Sequence, residues 1–573
     1  RRIMKKIILL AIVAISFSIT GCSDFLDTEN LTKKDSSNYP QTEEDTRELL
    51  NGAYSALYIC TNPSHPFLAG NILSDDCLAG GGLGDLSQPI RYLKAMSEND
   101  FGPLWSALYT GIYRCNNILE NAENVQWENG VEKNKILGET YYLRGMFYYY
   151  MAITFGNAPL VLDTTPQNNP KASADEMFKV ILSDLKQAIE LLPNIKFQDI
   201  DKNKIGYATK WAAEALMARA YLFYDGYYKQ NRRENVTLDN GSVTSQNVIT
   251  WLEDCIKNSG HDLLSDFRNQ WPYAIDIPEA DYKYARDNNL SWVGESGDNN
   301  ETIFAVKYSS IASWSDNYSN PIALNIGLRG QTQVPFGMGW GICTVSTNFW
   351  NEWPDEDLRK KGSILDVRDT EEGLSGYDFG VWEAWQETGY LPKKYLPVNV
   401  KKVNADGSVT ICNYSCVLYG TSPHYMKDTT QDLVLIRFAD VLLMHAEMTR
   451  TIDGINRVRT RAQLPPILAY TDEALRSERR YELAFEALRY HDLLRWYGTD
   501  AGTIIKQNLN HCIIYNNLQQ TTINEDRGNG YFDQFDRRVK ETGGFMQIPN
   551  DQIQLSNGVL EQNPGWEGSN NMF

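Results

Sequence analysis

Catalytic material is scarce in this sequence. Its six histidines, at 65, 261, 424, 445, 491 and 511, are scattered through 573 residues, which leaves little for imidazole acid–base work or metal ligation. No GxSxG, HExxH, Walker A or GxGxxG pattern occurs, so the nucleophile elbow, the zinc-protease helix and the phosphate-cradling loops are all missing. The nine cysteines (22, 60, 77, 115, 255, 343, 412, 416 and 512) are irregularly spaced and form no CxxC. That indicates neither a zinc site nor a small disulfide scaffold and leaves buried thiols as the plain reading, with a Cys412–Cys416 bridge open if the chain is exported. Positive charge is in deficit, 54 Lys and Arg against 73 Asp and Glu, for a formal net charge of −19. Nucleic acid and anionic membrane surfaces would repel such a chain. Acidic pairs such as Asp355/Asp357 and Asp366/Asp369 are what this abundance of carboxylates supplies by chance, and a glycosidase needs two placed across one bond. No catalytic residue, cofactor or metal site is expected.

Aromatic residues, by contrast, are abundant: 33 Tyr, 14 Trp and 20 Phe, together 12% of the chain. Large rings fill cores, and when exposed they also make flat platforms for ligands. The first residues read as an export signal. Met4-Lys5-Lys6 is followed by the apolar Ile7 to Ile19, too short to span a membrane, and the run ends in ITGC. That ending looks like a bacterial lipoprotein box with Cys22 as the lipidated residue; several acyl chains there would anchor the protein stably. The reading is a signal peptide over 1–21 and a polar tether over 22–40.

Helical periodicity dominates 41–260. In DTRELLNGAYSALY, Leu49, Leu50, Ala53 and Leu57 share a face. LGETY at 137–141 fits the L-G-x-x-Y core of a tetratricopeptide repeat, and ADEMFKVILSDLKQAIELLPN supplies the second helix of such a unit. GYATKWAAEALMARAYLFYDGYY and VITWLEDCIKNS form a further pair. Over 261–431 the periodicity fades, glycine and asparagine rise, and eight tryptophans appear. Such length requires an irregular subdomain with short strands (TIFAVKY), short helices (DEDLRKK) and a hairpin turning at Asp406-Gly407. Helices return over 432–497 as three segments, DLVLIRFADVLLMHAEMTR, INRVRTRAQLP and SERRYELAFEALRYHDLLRWY. Leu435, Ala439, Leu442, Leu443 and Ala446 share a face of the first. Arg479/Glu482, Glu486/Arg489 and Asp492/Arg495 are spaced for pairing one turn apart in the third. An irregular tail fills 498–573. The fold class is therefore mainly α: about four tetratricopeptide-like helix pairs carrying a large loop-rich insertion with short strands.

Exposed rings in loops could stack on the C–H face of a sugar. WSDNYSN (Trp314, Tyr318), NQWPYA (Trp271, Tyr273) and GVWEAW (Trp382, Trp385) are the candidates. Against each stands the ordinary fate of tryptophan, burial in the core. Trp350 and Trp353 lean to core, and Trp105, Trp211 and Trp251 lie within helices as packing residues.

IRFADVLLMHAE, NRVRTRAQLP, ERRYELAFEALRYHDLLRW and MQIPNDQIQLSNGVLEQNPGW, in that order, resemble the C-terminal signature of the SusD/RagB family. The resemblance implies a surface lipoprotein of Bacteroidetes, held to the outer membrane by its lipid. Such a protein captures a glycan and passes it to a SusC-like TonB-dependent transporter. It also implies a ligand face built by loops near the first repeat and the irregular subdomain. On that face the expected ligand-binding group is Asp75 and Asp76 of the glycine-rich loop with Trp271, Trp292, Trp314, Tyr318 and Trp382. Capture of a peptide or another non-glycan nutrient, and a structural surface protein with no small ligand, are the alternatives.

Overall fold

The computed structural model describes residues 39–294, 299–309, 319–374, 376–516, 523–568 and 572–573. The lipidation candidate Cys22, with the signal and most of the tether, lies outside these residues, as do Trp314 and Tyr318.

The N-terminal scaffold is a run of helices, α1 (Glu43–Ser55), α2 (Pro66–Ile72), α3 (Ser87–Arg91), α4 (Gly102–Asn121), α5 (Gly130–Phe155), α6 (Ala174–Leu191), α7 (Lys210–Lys229) and α8 (Ser245–Asn258). Their starts are written locally. Thr42, Ser173 and Thr244 each accept a bond from the N–H three residues on, and the Asp45, Glu176 and Asn247 side chains accept one from the cap N–H, closing capping boxes on α1, α6 and α8. The second half of α5 is buried on almost every side, as is α7 from Trp211 to Gly226, so both are core helices without a polar face. Gly138 of LGETY has a packing reason. A Cβ there would come within 2.8 Å of Leu192 Cγ, so only glycine lets α5 close on the end of α6.

The C-terminal half adds β6 (Leu433–Arg437) and α9 (Phe438–Thr449), α10 (Asp453–Arg461), α11 (Asp472–Glu482) and α12 (Leu488–Tyr497). Here α9 packs on α8 and α12 packs on α7, so the two halves of the scaffold, far apart in sequence, form one stack. Between them lies the irregular part, with β1 (Thr302–Val306), the short parallel pair β2 (Leu328–Arg329) and β3 (Met338–Gly339), and the hairpin β4 (Asn399–Val403)–β5 (Val409–Asn413) that turns at Asp406-Gly407 as expected.

Two expectations for 432–497 fail, for physical reasons. DLVLIR is a strand: Leu433 pairs with Val306 and Val434 with Ala305, antiparallel, and all five residues of β6 are buried. A short, wholly buried apolar run carries no period, so its helical spacing was accidental. Nor is SERRYELAFEALRYHDLLRWY a single helix. Asn71 of α2 donates from Nδ2 to the Phe485 carbonyl (3.0 Å) and accepts the Ala487 N–H at Oδ1 (2.9 Å). That side chain replaces helical partners, and Phe485 and Ala487 adopt left-handed backbone, splitting α11 from α12. Of the three one-turn ion pairs only Asp492–Arg495 forms, at 2.8 Å.

The other charges turn inward. Glu482 meets Arg359, Arg437 and Arg461, and Glu486 meets Arg437 and Lys394, all buried. Arg437 also pairs with Glu301 of the irregular part, so this network is the buried joint between insertion and scaffold. Among the described residues seven cysteines are buried free thiols, Cys412 and Cys416 included.

Candidate functional site

Three of the expected ligand-binding residues are withdrawn from the surface. Asp75 and Asp76 are buried beneath the glycine-rich loop. Asp75 accepts two bonds from Arg489 (2.8 and 2.7 Å) and one from Asn508 (2.7 Å), while Asp76 accepts from Arg480 at 2.7 Å. Burial alone would raise the Asp75 carboxyl, but Arg480 and Arg489 hold it well below the usual carboxylate range. Asp76, more affected by burial and by its neighbour Asp75, sits at about 6. Both are internal tethers that tie the loop to α11 and α12. Trp271 is also core, 1% exposed, with its ring edge-on to Tyr395 (5.3 Å) and the Lys394 ammonium 5.1 Å over its face. Trp292 is half-buried against Tyr414, their rings 5.3 Å apart. Trp353 donates to the buried Asp357 at 3.0 Å, and Trp211 to the Ile195 carbonyl at 2.7 Å, so both are core as expected.

Trp382 is the exception, 47% exposed. Its backbone is left-handed, with φ 53° and ψ 41°, and Glu383 and Gln386 also have positive φ. For a bulky residue that conformation is strained and persists only where neighbours impose it. They do so here. Arg329 donates from Nε (3.1 Å) and Nη2 (2.7 Å) to the Trp382 carbonyl, and its Nη1 reaches the Trp340 carbonyl at 2.7 Å. Gly81 accepts the Trp385 N–H at 2.7 Å, and the Gln386 side chain accepts the Ala79 N–H at 2.9 Å. Gly330 lies under the indole: a Cβ there would come within 2.7 Å of Trp382 Cδ2.

These restraints bring Trp382 beside the half-buried Trp340, centroids 6.0 Å apart and planes at 38°. Tyr425 follows, edge-on to Trp340 at 6.4 Å, with His424 stacked on it at 6.0 Å. The row runs into a cleft of about 300 Å³ whose walls include Asn399, Asn413, His424, Tyr425, Asp428 and Ile411. Asn413 Nδ2 has no hydrogen-bond partner, and burial raises the Asp428 carboxyl. Flat apolar faces beside amides, a carboxyl and an imidazole suit a ligand with C–H faces and rim hydroxyls.

Sequence reasoning named the region, the glycine-rich loop with the insertion, and chose Trp382 within it. It missed Arg329, Trp340, Tyr425 and His424. Trp340 stood among the insertion's tryptophans, but its pairing depends on Arg329 and Gly330, which no local spacing announces.

Residues 300–566 match the SusD family, and residues 24–222 match a family described as starch-binding associating with outer membrane. A SusD-like protein of Bacteroides ovatus is 25% identical over 530 residues, covering 87% of this chain and 83% of that protein. Among solved structures, a laminarin-binding SusD-like protein superposes with a TM-score of 0.66 at 22% identity, covering 92% of this chain and 100% of that one. Surface glycan-binding protein A from Bacteroides thetaiotaomicron in complex with laminarihexaose gives 0.65 at 18%, covering 91% and 100%.

Proposed function

This chain belongs to the SusD family, and from that premise we propose that it captures an oligosaccharide or polysaccharide at the cell surface, without chemical change, and passes it to a SusC-like TonB-dependent transporter. The observation that carries the reading is the Trp382–Trp340 pair, an exposed ring held in strained backbone beside a second indole. Strained backbone clusters at ligand sites, and a ligand platform gives the strain under an exposed ring a purpose. Contacts of this kind are individually weak, which suits release to a transporter. Lipidation of Cys22 would hold the protein at the outer membrane, and the stacked helices offer the extended surface for docking the transporter. Relatives named as glycan-binding support a binding protein over an enzyme.

Affinity electrophoresis of the soluble chain from Ser23 onward tests the proposal against a polysaccharide panel that starts with laminarin. Retardation by one glycan class, lost in Trp382→Ala and kept in a folded control, is the expected result. Binding restricted to cationic peptides, which the net charge of −19 would attract, would replace the glycan reading with the peptide one.

A further inference from the structure

A second recess, sharing no residue with the aromatic platform, lies between the 197–209 segment and β1. It is a small slot of about 40 Å³, lined by Phe197, Ile200, Ile205 and Phe304 and by the exposed Lys204. That volume holds about three water-sized groups. His261 and Asp432 are among the polar side chains that line it. His261, 5% exposed, has its Nδ1 2.9 Å from the Asn300 carbonyl. A carbonyl only accepts, so Nδ1 carries the proton and Nε2 is left as an acceptor. That Nε2 has no partner. Burial keeps the ring neutral down to about pH 4. Asp432 likewise offers Oδ1 without a partner, while its Oδ2 is bonded to the Lys307 ammonium.

Unpartnered buried acceptors are unfavourable unless a ligand or water supplies donors, and a ligand that offers them displaces that water. Two donors are needed, on a slender body with an apolar flank. The ligand's charge follows from the pair already present. Asp432 already holds the Lys307 ammonium, so an incoming ammonium would lie beside a like charge, whereas hydroxyls bring none. We propose that this slot binds a neutral polyol fragment, a carbon chain or sugar edge that donates one hydroxyl to His261 Nε2 and another to Asp432 Oδ1. Its chemistry would make it a second contact for a hydroxylated ligand, independent of the aromatic face.

The test uses the soluble chain from Ser23 with ¹⁵N-labelled histidine, titrated with 1,2-propanediol and, separately, with n-propylamine. A saturable shift of the His261 Nε2 resonance with the diol, weakened about tenfold in Asp432→Asn, is expected. Ile205→Trp, which fills the slot from a half-exposed loop position, should abolish the shift while polysaccharide retardation through Trp382 persists. That last comparison separates failure of the slot from failure of the glycan reading. A resonance unmoved by the diol in the folded protein, or a response to the amine equal to or stronger than that to the diol, overturns the proposal.

Discussion

Trp382 and Trp271 stand in similar sequence surroundings and have opposite fates. The first is 47% exposed on left-handed backbone, and the second is sealed between Tyr395 and Lys394. Trp382→Ala should therefore weaken glycan binding about tenfold or more while melting stays unchanged, read by calorimetry and thermal unfolding together. Trp271→Ala should lower stability by about 3–5 kcal/mol, the range for emptying a large aromatic site. Asp440 makes a pH statement at the same scale. Burial alone would raise its carboxyl, but Arg219 and Arg479 hold it at about 2, below its unfolded value of about 3.9. The stabilisation is thus complete above about pH 4 and is lost as pH falls towards 2. Denaturant unfolding of wild type and Asp440→Asn should show their stability gap shrinking by on the order of 2 kcal/mol between pH 6 and pH 2. The identity of a loop tryptophan is legible in sequence, but its burial is not, because the deciding neighbours lie elsewhere in the chain. Asp75 and Asp76 teach the same lesson, since their partners Arg480 and Arg489 are more than 400 residues away.

Elements were more legible where their cause is local. LGETY within a helix and the Asp406-Gly407 hairpin are short-range patterns and appear as expected. The strand β6 and the break between α11 and α12 were hidden, because one needs β1 as partner and the other needs the Asn71 side chain. Gly330 links an element to the site. Its φ of +62° and the 2.7 Å approach to Trp382 leave no room for a methyl group. Gly330→Ala should displace the indole and weaken glycan binding, with fluorescence of the Trp382 region altered and overall helicity by circular dichroism retained.

For the whole molecule, the order of the helical stretches and the change of texture between 261 and 431 gave away the architecture, since a stack interrupted by a loop-rich insertion leaves that trace in periodicity. How insertion and scaffold are joined left none. The joint is Arg437, fully buried among Glu301, Glu482 and Glu486. Arg437→Ala would strand those carboxylates and should destabilise the protein by about 3–5 kcal/mol, measured by chemical denaturation.

The most direct measurement is titration calorimetry of the chain from Ser23 with the polysaccharide that retards it most. Wild type would be compared with Trp340→Ala, Trp382→Ala and the double variant, each checked for an unchanged melting temperature. Saturable binding, weakened by each single change and abolished by the double, is the expected result for capture on this aromatic face. Undiminished binding by the folded double variant would contradict it and move the glycan site elsewhere on the molecule.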